Sequence, residues 1–283
     1  MKKNDRVRHE AVPEWGLGRV LEDPVGGRVR IFFINVGIKK ISLPTSIVVV
    51  TGAEAANAIL DNLKDIDPDL ERSYRTLAVL KKQFLEQFPG GFHGEKYLMT
   101  ERNYKVGAHE LAEKLLSRKT IEKALESKDF AGVCENARKV IQATNLVFPN
   151  EKMNFSDGVR TPAFQERFSS TLFELLFGDG ALQRRFTSFC GMLDEIGAAK
   201  WTVATYFQFI MYPDEYMFMK PVVTSKAAAI CAFELNYKPQ LNWLTYEKLL
   251  VFSRHLKNEL IDLKPRDMID VQSFIWCTGE GQA

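Results

Sequence analysis

The hydrophobic pattern of this chain changes period near residue 52, and that change constrains the fold more than any other feature. Before it, apolar and polar residues alternate in short runs: DRVRH, GRVLED, GRVRIFFI, GIKKISL and SIVVVTG. A period of two buries one side of a strand. The segment Asp23-Pro24-Val25-Gly26-Gly27 has the chemistry of a tight turn between the second and third runs. Five short strands so closely spaced predict a small barrel, with Val7, Val20, Val29, Ile31, Phe33 and Ile41 inside.

Beyond residue 52 the spacing is helical. Residues 53–150 read as one helical subdomain. Asp67-Pro68 suits a helix start, and Leu70, Tyr74, Leu77, Val79, Leu80, Phe84 and Phe88 follow as an apolar stripe. Pro89-Gly90-Gly91 stops it. After FHGEKYLMTERNYKV, helices are expected over about 107–117, 119–127 and 130–144. Residues 151–283 read as a second, aromatic-rich helical subdomain. Its stripes are Phe164, Phe168, Leu172, Leu175 and Leu176, then Leu182, Phe186, Phe189, Leu193 and Ile196. The third is Tyr246, Leu249, Leu250, Ser253, Leu256 and Leu260.

The composition, 46% hydrophobic and 26% charged, is that of a soluble globular protein. No apolar run reaches eighteen residues, so no membrane span is expected, and no h-region follows the basic N-terminus. Cys134, Cys190, Cys231 and Cys277 are dispersed and read as buried thiols in a reducing cytoplasm. Net charge is only +2, but residues 1–52 hold nine basic residues against five acidic ones. A basic module on a near-neutral body suits phosphate or an acidic partner.

Within that module the stretch DRVRHEAVPEWGLGRVLEDPVGGRVRIFFINVGIKKI is built on a V-x-H…WG-x-G-x-V pattern. It resembles the Tudor- or SH3-like barrels appended to bacterial superfamily 1 DNA helicases. More distantly it is similar to the polymerase-interacting module of CarD-type regulators and transcription-repair coupling factors. Val7, His9, Trp15, Gly16, Gly18, Val20, Val29, Phe33, Gly37 and Lys39 carry the resemblance, over about fifty residues. It implies an SH3-like fold and a role in binding protein, DNA or RNA. FPGGFHGEKYLMTERNYK and the region from KWTVATYFQFIMYPDEYMFMKP to RDMIDVQSFIW resemble uncharacterised bacterial proteins, some near DNA-processing or phage-defence genes. The second region is also similar to helix-hairpin-helix glycosylases, although the L-P-G-V-G-type hairpin turn is absent.

Trp15 has two readings: a lid on an open barrel end, or an aromatic beside Arg19, Arg28 and Arg30 that stacks bases or takes a partner's loop. Alternation puts Arg28 and Arg30 on one face, opposite Val29 and Ile31. With Lys39 and Lys40 these form the expected binding set.

Catalytic signatures are sparse. There is no P-loop, no H-E-x-x-H and no G-x-S-x-G elbow, and the four histidines are scattered. Carboxylate candidates for a metal nuclease are Asp267 and Asp270, at i, i+3, and Glu95 and Glu101 with Lys96. Asp267, after Pro265, equally suits a helix N-terminus. Lys220 in FMKP has the setting of a desolvated, Schiff-base-forming lysine, or of a structural or phosphate-contacting one. Glu101, Arg102 and Lys105 have the spacing of a within-helix charge pair, or of a surface that meets a partner.

The expectation is an α+β protein, with an N-terminal SH3-like barrel over 1–52 and a helical body over 53–150 and 151–283. Its leading function is non-enzymatic: a cytoplasmic accessory or adaptor subunit of a bacterial DNA-processing or anti-phage defence system. It would bind nucleic acid or a helicase, nuclease or polymerase partner, with no cofactor or metal. The alternative is an enzyme acting on nucleic acid through Lys220, Asp267 or Asp270.

Overall fold

The computed structural model describes residues 1–44, 46–64 and 73–280. Strands β1 (Arg6–His9), β2 (Gly18–Val20), β3 (Arg28–Phe33), β4 (Gly37–Ser42) and β5 (Ile47–Val50) form one antiparallel sheet in the order β4-β3-β2-β1-β5. The β2–β3 hairpin closes through Val25 and Arg28, whose backbone groups exchange hydrogen bonds of 2.9 and 3.0 Å. Gly26 and Gly27, at φ +56° and +72°, sit between them, the left-handed pair that a twist-matched hairpin turn requires. Val7, Val20, Val29, Ile31, Phe33 and Ile41 form the core of this sheet, the six residues the alternation assigned to it.

The body is helical. Its elements are α1 (Ala58–Asp61), α2 (Leu77–Gln87), α3 (Asn103–Leu115), α4 (Arg118–Glu126), α5 (Phe130–Gln142) and α6 (Pro149–Gly158). They continue with α7 (Pro162–Phe177), α8 (Leu182–Glu195), α9 (Trp201–Met211), α10 (Pro221–Ile230), α11 (Trp243–Glu259) and α12 (Met268–Glu280). Ser117, Asp129, Thr161 and Asn242 side chains cap α4, α5, α7 and α11. All eleven residues of α9 are buried, as befits a helix apolar on every face. It packs against α3, α6, α7 and α8, so helices from both halves of the body share one hydrophobic cluster.

Two stretches differ from the sequence reading. The helix start expected at Asp67-Pro68 lies outside the described residues. Tyr74, Arg75 and Thr76 are not helical, and α2 begins only at Leu77. Tyr74 serves the sheet instead: its ring meets Phe32 edge-on at 4.9 Å and its hydroxyl donates to the Ile34 carbonyl at 2.5 Å. The helix expected near 107 is preceded by a turn at Glu95–Tyr97 and a π-helical turn at Leu98–Arg102, so helical backbone runs unbroken into α3.

The sheet is docked rather than tethered. Leu17 and Phe32 belong to the core of the body, not to that of the sheet. Arg6 pairs with Asp61 on α1 at 2.6 Å, and Arg19 donates to the Leu60 carbonyl at 2.9 Å. Phe32 is therefore buried on the outer face of β3, where alternation alone predicts exposure.

Candidate functional site

Two places gather chemistry-bearing side chains. The first is the sheet and its junction with the body. Trp15 ends a 3-10 turn, Pro13–Trp15, and lies against His9 (5.1 Å between ring centroids) and edge-on to Phe33 (5.3 Å). The Lys39 ammonium stands 5.5 Å over its ring. Lys39 is the cross-strand partner of Ile31, so Trp15 and Lys39 close the side of the sheet that holds its core. The arginines lie on the opposite side. Arg19 faces Phe32 across β2–β3, and Arg30 faces Lys40 across β3–β4. The binding set thus divides into Trp15 with Lys39 on one side, and Arg19, Arg28, Arg30 and Lys40 on the other.

Arg19 is committed to structure, holding the Asn4 side chain at 2.7 and 3.0 Å as well as Leu60. Arg28 and Lys40 are exposed, and Arg30 lies 3.9 Å from Glu22. Two clefts flank this outer face. One, of about 390 Å³, is lined by Lys3, Arg19, Arg30, Lys64 and Glu22 among others. The other, of about 560 Å³, has Lys39, Lys40 and Arg75 in its wall.

The second place lies where the π-helical turn meets α12. Tyr97 and Arg102 both reach Asp270 Oδ1, at 2.7 and 2.8 Å. In an α-helix, residues five apart point about 140° away from each other; a π turn bonds i to i+5 and brings them together. Arg102 also grips Asp267 through both nitrogens, at 2.8 and 2.5 Å. Asp267 caps α12 by accepting from the Ile269 and Asp270 amides, and Arg266 holds Asp270 from the other side at 2.9 Å. Burial alone would raise the Asp270 carboxyl. The Arg266 hydrogen bonds, with help from Tyr97 and the Arg102 charge, hold it below the usual carboxylate range.

Beside this network lies Lys105, fully buried, donating to Gln272 (2.7 Å), Ser273 (2.9 Å) and Glu101 (3.3 Å). Glu101 and Lys105 make the within-helix pair that their spacing implied. Lys220, just before α10, places its ammonium 4.1 Å over Trp276 and 4.8 Å over Phe148. Lys105 and Lys220 line one cleft of about 120 Å³ with Glu101, Gln272 and Trp276; Asp267 and Asp270 are not in its wall. Among the described residues no three of His, Cys, Asp and Glu gather to hold a metal. Sequence spacing reached Lys220, Asp267 and Asp270 singly. It did not join them to Arg102, Lys105 and Trp276, because no local period links positions so far apart, up to 168 residues for Arg102 and Asp270.

Burial pushes the Lys105 ammonium down from 10.5 to about 8, with the Glu101 charge opposing part of the shift. Between those values the unfolded chain holds a proton that the folded one has released, so this group adds stability as pH rises. Wild type is expected to gain about 1 kcal/mol on Lys105→Met between about pH 7.5 and 9. Paired urea titrations check it, since the tyrosines and thiols common to both proteins cancel. A difference independent of pH would refute the depressed ammonium.

The geometry defines a class: a small five-stranded antiparallel sheet docked on a single helical core, with basic clefts at the junction and a lysine-lined cleft in the body. A family model described as a protein of unknown function, DUF3553, matches residues 1–48, so the chain is similar to that family over its sheet. No curated protein and no solved structure matches the chain.

Proposed function

We propose that the protein is an accessory subunit of a DNA-processing system that binds nucleic acid through the part of the outer face of β3 and β4 that the body leaves open, at Arg28, Arg30 and Lys40. One observation carries this reading. Among the described residues, the charged lining of the two clefts beside that face is Lys3, Arg30, Lys40, Lys64 and Arg75 against Glu22, with Arg19, which also holds Asn4 and Leu60, and Lys39, which reaches in from the Trp15 side. The register also sets Arg30 directly opposite Lys40, so two cations stand side by side on that face. Exposed Arg28 extends the row. The strand order, with β5 returning to pair with β1, supports an SH3- or Tudor-like barrel, and the resemblance to helicase-appended barrels supports the DNA-processing context. Four free thiols fit a reducing cytoplasm. The engagement of Asp267 and Asp270 by arginines and amides favours a structural role for both over catalysis.

The test is an anisotropy titration of labelled single- and double-stranded DNA across a salt series with magnesium, with product size read from the same samples. Wild type is expected to bind with an affinity that falls steeply with salt. Arg28→Glu with Lys40→Glu is expected to weaken binding at least about tenfold and to reduce the salt slope by about 2. Unchanged affinity and slope would remove this face as the contact surface. Shortened product would favour the enzymatic alternative, and no binding at low salt would turn the search to a protein partner.

A further inference from the structure

The cleft between the π-helical turn, Lys220 and α12 has in its wall an amide donor without a protein partner among the described residues, and chemistry fixes its identity. Gln272 is only 5% exposed. Its amide oxygen accepts from the Lys105 ammonium, which can only donate, so the oxygen and nitrogen of this amide cannot be interchanged. The amide nitrogen is left without a hydrogen bond among the described residues, in a side chain that lines the cleft. The donor is open to an acceptor that enters the cleft. The same ammonium holds Glu101, so an acceptor group stands beside the Gln272 donor.

The rest of the wall narrows the ligand. The volume, about 120 Å³, is well above the ~10–15 Å³ that holds one water and admits a small planar ring. Aromatic surface comes from Tyr104, which carries the Lys105 ammonium 5.3 Å from its ring centre, and from Trp276. Half-exposed Phe148 sandwiches the Lys220 ammonium with Trp276. Asn145, exposed, adds an amide to the lining. A site for a bare anion would not include the Glu101 carboxylate. A site for an aliphatic group would not leave an amide donor open.

We infer that this cleft binds a single planar heterocycle of the nucleobase class, its acceptor on Gln272, its donor on Glu101 and its ring among Tyr104 and Trp276. The inference goes beyond the nucleic-acid reading of the sheet and stands without it, because a free nucleoside tests it. Base-edge reading by amides and stacking on aromatic side chains is how proteins hold an unstacked base.

The experiment is calorimetric titration of the full-length protein with uridine, cytidine, adenosine and guanosine, and with inorganic phosphate. At least one nucleoside is expected to bind saturably, with a dissociation constant of about 1 mM or below. Gln272→Glu keeps the acceptor for Lys105 and deletes the open donor; it is expected to weaken that binding at least about fivefold. Asn145→Trp, at an exposed position that folding tolerates, fills the cleft and is expected to abolish it. Arg28→Glu with Lys40→Glu is expected to leave it unchanged. Saturable nucleoside binding with this pattern supports the cleft even if oligonucleotides do not bind the sheet. No saturable nucleoside binding overturns it, as does equal binding by wild type and both cleft variants. Phosphate binding with the same sensitivity to the two variants would overturn the heterocycle assignment.

Discussion

Replacing Arg102 by methionine is expected to cost about 3–5 kcal/mol of folding stability. The guanidinium spans two carboxylates, Asp267 at 2.5 and 2.8 Å and Asp270 at 2.8 Å. The Asp270 side chain has no solvent exposure and that of Asp267 has 10%. Methionine fills most of the volume but leaves Asp267 with only its capping amides and Asp270 short of one cation. Leaving a buried charge uncompensated is the expensive half of breaking such a pair. Adding Asp267→Asn is expected to restore part of the loss, because a neutral amide oxygen still caps α12 and brings no charge to bury. Urea midpoints of the single and double variants measure both effects. A loss below about 1 kcal/mol in Arg102→Met would show that water reaches the network and that its members act as surface pairs.

The second large effect is expected at Gly18. A Cβ built there would lie 2.7 Å from the Phe33 ring and 2.9 Å from Ile31, and both of those side chains are fully buried in the core of the sheet. Gly18 is the cross-strand partner of Phe33, and the ring occupies the space that a side chain would need. Gly18→Val is expected to cost about 3 kcal/mol, the upper end of overpacking penalties, because neither neighbour can retreat without opening the sheet. Amide exchange read by peptide should show early opening over residues 1–52, with the helices around α9 slower to exchange. Uniform protection equal to wild type in the sheet would sink this account of the second glycine in WGLG. The first, Gly16, has a different cause: its φ of +76° is a backbone state that side chains resist.

Trp15, between those neighbours and the core, shows how far local pattern reaches. The motif located an aromatic at the mouth of the sheet, and the structure packs it on His9, Phe33 and Lys39. Pattern could not tell which side of the sheet it shares. The arginines grouped with it, Arg19, Arg28 and Arg30, lie across the pleat. Arg19 in particular is drawn to Asn4 and Leu60 by docking with the body.

What the sequence by itself determined is what repeats within a few residues. Period-two alternation identified all six core positions of the sheet, because side chains in a strand have only two directions. Helical stripes such as Tyr246, Leu249, Leu250, Ser253, Leu256 and Leu260 are buried along their length, and Ser253 satisfies itself on the Leu249 carbonyl of its own helix. What only the tertiary structure decided is what depends on meeting a distant surface. Phe32 is buried because the body covers its end of the outer face of β3, and Tyr74 leaves helical conformation to hold that contact. Arg102 and Lys105 become a network and a cleft wall only when the π-helical turn is laid against α12, more than 160 residues further along the chain. Local spacing fixes which face of an element is apolar; which elements meet is set by the burial of all those faces at once.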